Sequence, residues 1–306
     1  MEFTTKVNIE HAGEKLSYNN KILIIGSCFA NEVGAMLKEC GFDISVNPFG
    51  TLYNPVSIAN SIELLCSDAK FSEKDVIDIS CHTTAYAETQ KEESLISEER
   101  KARYCSFCHH SSFARESVAE FLESANARLA AEKAHFKAAD TIIITLGTSW
   151  VFRHKELNKI VSNCHKIRPQ EFEREFLESA QTAHILEEIA NSLPHKRIIF
   201  TVSPIRHLKD GAHGNAISKA SLLLAVEKTV GCYENTDYFP AYEILLDELR
   251  DYRFYAEDMV HPSPVAVKYI FERFKESFIA PECYPKMIEM SKIARRGAHI
   301  PITKKG

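Results

Sequence analysis

The sequence predicts an α/β protein whose parallel sheet is covered by helices on both faces. Two observations carry this. Five short apolar runs, at residues 22–25, 42–46, 141–146, 197–202 and 237–239, alternate with stretches of helical periodicity. Strand then helix, repeated along a chain, builds a sheet buried on both sides. In such sheets ligands gather beyond the carboxyl ends of the strands. Ser27 follows the first run, Gly147 the third and Ser203 the fourth, so one edge collects the chemistry.

The elements follow from local signals. Residues 22–25, Ile-Leu-Ile-Ile, read as a buried strand running into the small-residue turn Gly26-Ser27. Phe29, Val33, Met36, Leu37 and Cys40 recur at helical spacing, and Gly41 stands where a helix ends in the left-handed region. Asn54 and Pro55 supply a cap and a first-turn proline for a helix carrying Ile58, Ile62 and Leu65. Further amphipathic stretches cover 113–129, 172–193, 217–230, 240–249 and 264–278. Residues 66–110 have mixed charge and weak periodicity and read as a lid-like insertion, with 153–170 a second irregular excursion. No repeat, linker or low-complexity tract divides the chain, so residues 1–306 are expected to form a single domain with a core from about 21 to 278.

Composition excludes several classes. A formal net charge of −5 and a pI near 6.2 leave no electrostatic footprint for nucleic acid or a membrane surface. No apolar run approaches the ~18 residues of a membrane span, and the N-terminal stretch has no apolar signal region. The nine scattered cysteines suggest reduced thiols, hence a cytoplasmic location, rather than a disulfide framework.

Two segments at opposite ends carry the chemistry. Lys21-Ile-Leu-Ile-Ile-Gly-Ser27-Cys-Phe-Ala30 delivers a serine between a strand and a helix whose free N–H groups favour developing negative charge. Asp258-Met-Val-His261 sets a carboxylate within reach of one imidazole nitrogen, leaving the other for a hydroxyl. Ser263 and Pro264 start a helix just after it. Hydroxyl, base and orienting acid together compose an activated serine nucleophile. The competing structural roles are a helix-capping serine and a surface Asp–His pair. Ser27 does not sit in a G-x-S-x-G elbow, because Gly26 and Ala30 lack that spacing.

Gly26-Ser27-Cys28-Phe29-Ala30 reproduces the signature of the GSCFA family, which resembles a branch of the SGNH (GDSL-like) hydrolase superfamily. Asn47-Pro-Phe-Gly50, Tyr53-Asn54-Pro55, Thr145-Leu-Gly147-Thr148, Asn163-Cys-His165-Lys166, Thr201-Val-Ser-Pro204, Arg206-His207 and Arg250-Asp-Tyr-Arg253-Phe-Tyr extend the resemblance from about 21 to 278. It implies a three-layer α/β/α fold with a flavodoxin-like, five-stranded parallel sheet. It further implies Ser27 as nucleophile, His261 as general base and Asp258 as the orienting carboxylate. The backbone N–H of Gly50 corresponds to an oxyanion donor, alongside that of Ser27. The superfamily asparagine after the third strand is replaced by Ser149, so the third donor is Ser149, Asn54 or Asn163. Losing one such donor costs about 10²–10³ in turnover.

Other residues have two readings each. Cys28 is a nucleophile favoured by a helix N-terminus, or a small filler under the sheet. Asn163 and His165 read as substrate-loop residues, and His207 and His213 as substrate contacts or surface groups. Trp150, the only tryptophan, stacks on a sugar face or packs in the core. Cys105-Ser-Phe-Cys108-His109-His110 has metal-like spacing but no further ligands at consistent spacing. No metal and no cofactor are expected. The expected activity is a serine esterase acting on small acyl esters, with O-acetyl groups on carbohydrate implied by the superfamily resemblance. An O-acyltransferase using the same triad and a non-catalytic carbohydrate-binding module are the alternatives. The partner is then a small-molecule or carbohydrate ester, with no nucleic acid and no membrane.

Overall fold

The computed structural model describes residues 4–10, 13–79 and 103–298; the centre of the expected lid, 80–102, lies outside the described residues. Ten strands are present among them: β1 (Lys21–Gly26), β2 (Asp43–Val46), β3 (Ile77–Asp78), β4 (Tyr104–Cys105), β5 (Thr141–Leu146), β6 (Trp150–His154), β7 (Lys159–Val161), β8 (Phe172–Phe176), β9 (Arg197–Val202) and β10 (Thr236–Tyr238). Seven longer helices accompany them: α1 (Cys28–Glu39), α2 (Pro55–Cys66), α3 (Val118–Ala138), α4 (Ser179–Ser192), α5 (Gly211–Cys232), α6 (Pro264–Phe278) and α7 (Tyr284–Ala298).

The central sheet runs β10-β9-β5-β1-β2, with every pair parallel. Counting only these strands along the chain, the order is 2-1-3-4-5, the flavodoxin-like arrangement. Alternation along the strands separates the two helical layers. Leu23 and Ile25 of β1, Ile142 and Ile144 of β5, and Ile198 and Phe200 of β9 join one core with apolar faces of α2, α3, α4 and α5. Ile22, Ile24, Ile143 and Ile199 face a second core built from α1 and α6. The fold is therefore three-layered, α/β/α.

All five sheet strands lie within a residue or two of the apolar runs, and the three inner ones, β1, β5 and β9, are buried and rich in Ile. The helical stretch expected over 172–193 divides instead. Phe172-Glu-Arg-Glu-Phe176 places Phe172, Arg174 and Phe176 on one face and Glu173 and Glu175 on the other, and forms β8 beside β6. With β7 it makes a small antiparallel sheet that replaces the irregular excursion over 153–170. The helix expected over 113–129 starts later, where Ser117 caps it through a 3.2 Å bond from the Glu120 N–H, and continues to Ala138. Of the insertion, residues 77–78 and 104–105 pair as a short antiparallel ribbon.

The chain's two ends are stitched together. Leu16 donates to the Phe278 carbonyl at 2.7 Å and accepts from the Ala280 N–H at 2.9 Å, with Leu16 and Ile279 both buried. This strap closes the outer surface of the α1–α6 layer.

Gly26 ends β1 at φ +138°, and a Cβ there would stand 2.1 Å from the Thr145 carbonyl oxygen. Gly26→Ala is expected to destabilise the protein by about 2–4 kcal/mol, from backbone strain plus the clash. A guanidinium unfolding curve showing an unchanged midpoint would contradict this account of the turn.

Candidate active site

The turn after β1 is held from three sides. The Gly26 N–H donates to Asn47 Oδ1 at 2.8 Å, and Asn47 in turn donates through Nδ2 to Asn31 Oδ1 at 2.7 Å. Asn47 adopts φ 45°, a conformation its short amide side chain tolerates. The Leu52 N–H reaches the Gly26 carbonyl at 2.8 Å. Ser27 then caps α1, its Oγ accepting from the Phe29 N–H at 3.3 Å.

Ser27 is completely buried. Its N–H donates to the carbonyl and to the hydroxyl of Thr145, at 3.1 and 2.9 Å, and its Oγ lies 3.1 Å from Thr145 Oγ1. The hydroxyl is turned towards the end of β5. Cys28 is the side chain turned the other way: it is half-buried, with Sγ 3.3 Å from the Tyr53 hydroxyl. The filler position under the sheet is thus held by Ser27 and not by Cys28.

Tyr53 links the two ends of the candidate site. Burial, reinforced by the Cys28 contact, pushes its phenol up to about 12. Its carbonyl accepts from the Gly147 and Thr148 N–H groups at 2.9 and 2.8 Å, and its ring meets His207 edge-on at 5.4 Å. Burial, then the nearby charge of Lys219, holds His207 down to about 3, so the ring is neutral at ordinary pH. His261 also acts electrostatically on His207. Contacts therefore run from Cys28 through Tyr53 to His207.

On that loop, His261 Nδ1 stands 2.6 Å from Asp258 Oδ2. The other carboxylate oxygen accepts the Val260 and His261 N–H groups, each at 2.9 Å. These backbone donors first, then the imidazole, hold the Asp258 carboxyl down at about 2. With Nδ1–H donating to the carboxylate, Nε2 is the basic nitrogen. The loop is pinned by Ala256 N–H on the His261 carbonyl at 2.8 Å, Arg206 N–H on the Val260 carbonyl at 3.0 Å, and Ser263 capping α6. His261 and Ser27 share no hydrogen bond; the serine's partner is Thr145.

The expected oxyanion donors separate. Gly50 takes φ +85°, packs under His110, and commits its N–H to the Asn47 carbonyl at 2.8 Å. Ser149 is fully buried with its hydroxyl on the Ser218 carbonyl at 3.1 Å and its N–H on Ser218 Oγ at 2.7 Å, facing α5. Asn54 caps α2, accepting the Ser57 N–H at 2.9 Å through Oδ1; its Nδ2 has no acceptor among the described residues and is available to donate.

The expected substrate residues also divide. His165, at φ 49° and buried, ties two loops together through Ser111 Oγ at 3.0 Å and the Ser106 carbonyl at 2.8 Å. Asn163 shapes that same turn by accepting the His165 N–H at 2.8 Å. Trp150 packs on Phe176 and donates Nε1 to the Gly214 carbonyl at 3.2 Å, and His213 is exposed on α5. His207 is the member of this group on whose ring the charge of His261 acts. In the segment with metal-like spacing, His109 is buried, 2.7 Å from Ser106 Oγ and ringed by Phe49, Phe71, Phe113 and Phe121, while Cys105 Sγ faces the His110 carbonyl. Among the described residues no three His, Cys, Asp or Glu side chains gather as a metal site, and all eight cysteines are free thiols.

A model of the GSCFA family matches residues 21–274. The chain belongs to the GSCFA family. No curated protein matches it. Among solved structures it is similar to a Streptococcus pneumonia protein described as a "putative platelet activating factor", at 12% identity and TM-score 0.41, covering 84% of this chain and 83% of the other. It is also similar to an acetyl xylan esterase, Est2A, from the rumen bacterium Butyrivibrio proteoclasticus, at 11% identity and TM-score 0.38, covering 85% of this chain and 65% of the other. Among the described residues no helix is long and apolar enough to cross a membrane.

Sequence reasoning missed Lys219. This fully buried lysine on α5 donates Nζ to the Gly147 and Ser203 carbonyls, each at 2.7 Å, clasping the ends of β5 and β9. A neutral amine has two N–H groups, and two carbonyls receive them. Burial lowers its pKa from 10.5 to about 7. The available signal was a lysine on the buried stripe of α5 with Asn215, Ser218, Leu222 and Val226.

Between about pH 7 and 10 the unfolded chain binds a proton at Lys219 that the folded chain does not, so this group makes stability rise with pH there. Lys219→Met is expected to cost about 1–3 kcal/mol by orphaning two carbonyls. It should also flatten the rise in urea midpoint across that range. Parallel pH curves for wild type and variant would refute the assignment.

Proposed function

We propose that the protein is an ester hydrolase of the SGNH type, working through a covalent acyl-enzyme at the β1–α1 turn. The observation that carries this is the Asp258–His261 pair, whose carboxylate is fixed by two backbone N–H groups while His261 Nε2 is left as the base. In the triad reading, Ser27 Oγ leaves Thr145 by rotation about χ1 and attacks the ester carbonyl as His261 accepts its proton. The alcohol departs with that proton, leaving an acyl-serine. Water, deprotonated by the same imidazole, releases the acid and restores the hydroxyl. Asp258 keeps the tautomer and stabilises the imidazolium. The Ser27 N–H already donates to Thr145, which leaves Asn54 Nδ2 as a further donor for the oxyanion.

Family resemblance supports small acyl groups, with O-acetyl esters on carbohydrate as the substrate class. Release to an acceptor hydroxyl instead of water would make the same site an acyltransferase. A binding module without turnover is the remaining alternative.

A specific observation favours a second assignment of the nucleophile. Ser27 is wholly buried and hydrogen-bonded within the fold, whereas the neighbouring Cys28 thiol is half-buried against Tyr53, whose ring meets His207. Cys28 is also the first residue of α1. The chemistry is unchanged, with a thioester in place of the oxygen ester.

Rapid quenching with para-nitrophenyl acetate followed by peptide mass mapping tests both. The triad reading expects acetyl on Ser27, lost in Ser27→Ala and kept in Cys28→Ala; the reverse pattern assigns the thiol. Asp258→Asn is expected to lower kcat by about 10³–10⁴ with little change in KM. Full turnover in His261→Ala would remove the acyl-enzyme reading altogether.

A further inference from the structure

Two stretches of the chain remain outside the chemistry just described: Arg206, which precedes His207, and the segment Arg250-Asp-Tyr-Arg253-Phe-Tyr255. The fold brings them together. Arg206, Asn215, Tyr242, Arg250, Tyr252 and Tyr255 line one cavity of about 340 Å³. Its wall is continuous with the catalytic loop, since the Arg206 N–H bonds the Val260 carbonyl and Tyr255 bridges to Pro262.

The polar groups of this cavity are unequally satisfied. Arg250 is paired with Asp247 at 2.6 Å, and Asp251 with Arg253 at 3.2 Å. Arg206, only partly exposed, has no carboxylate within ion-pair distance and no acceptor for its guanidinium among the described residues. Its charge acts on both Tyr242 and Tyr255, which places it as the positive pole of the cavity. Asn215 is 95% buried, at 5% exposure. Its Oδ1 is spent accepting the His207 N–H at 2.8 Å, which leaves Nδ2 without an acceptor. The hydroxyls of Tyr242, Tyr252 and Tyr255 likewise have no partner among the described residues, and the Tyr252 ring is 73% exposed at the mouth.

An unpaired guanidinium and a buried amide N–H are donors waiting for an oxyanion, for which a planar fork is the geometric match. Flat aromatic rings with free hydroxyls suit the mixed apolar and hydroxylated faces of a sugar. We infer that this cavity is a binding site for a sugar carrying an oxyanion, with the anion on Arg206 and Asn215 and the ring against Tyr252 and Tyr255. On the esterase reading, on which its role depends, the bound sugar is the alcohol part of the ester. The substrate is then an acylated acidic sugar, its ester presented to the His261 loop.

Titration calorimetry on the full chain tests this with glucuronate, a glucose phosphate and glucose. One of the two anions is expected to bind at least about tenfold more tightly than glucose, and the tighter one identifies the anion as carboxylate or phosphate. Arg206→Gln should remove that preference, Arg206→Lys should keep part of it, and both should keep the wild-type thermal midpoint. Tyr252→Ala should weaken all three sugars together. Equal affinity for glucose and both anions, or an anion preference that survives Arg206→Gln, overturns the inference. Sugar binding by a protein that forms no acyl adduct leaves the cavity assigned and removes the esterase reading. An acyl adduct without sugar binding does the opposite.

Discussion

The close approach of β1 to β5 at Gly26 is the constraint from which the candidate site follows. The Thr145 carbonyl occupies the space a Cβ would need, so the chain must turn there without a side chain. That turn drops the next residue into the N-cap of α1 and gives its hydroxyl a partner on β5. The residue after it is then thrown outward, toward Tyr53. Two adjacent nucleophilic side chains thereby acquire opposite settings, one sealed in the sheet and one half-buried against Tyr53. The same backbone step also fixes Asn47, and through Asn47 the turn that occupies the Gly50 N–H.

Opposite this rigid turn stands a loop whose order is of another kind. The Asp258–His261 segment is held mainly by its own backbone folding onto a carboxylate, with Arg206 and Ser263 as anchors. It lies at the surface, where such local bonds are what keep an imidazole in one orientation. Lys219 does the corresponding work beneath the cleft, holding apart the ends of β5 and β9 with a single amine.

The sheet was legible in the sequence because its three inner strands, β1, β5 and β9, are buried on both faces and therefore rich in Ile. Helix starts were legible at Asn54 and Ser263, where a capping side chain is followed by a first-turn proline, but not at Ser117, where no proline marks the cap. Phe172–Phe176 was misread because three charged residues between two phenylalanines carry no clear period of their own beside the helical run that follows. The Asp258–His261 contact could be anticipated because it is local, three residues apart. Thr145 as the partner of Ser27 could not, since that contact depends on strand register between segments more than a hundred residues apart. For the same reason Ser149 could be placed after β5 but not seen to turn towards Ser218.

The strap between Leu16 and residues 278–280 has a consequence for how the molecule is made. A ribosome delivers β1 early and the end of α6 late, at about 5–20 residues per second. For most of synthesis, therefore, Leu16 has no carbonyl to donate to, and the α1 face of the sheet has no α6 to cover it. The outer layer becomes watertight only when nearly the whole chain has emerged. Nascent chains interrupted before that point expose the apolar face of α1 and are natural clients for chaperones.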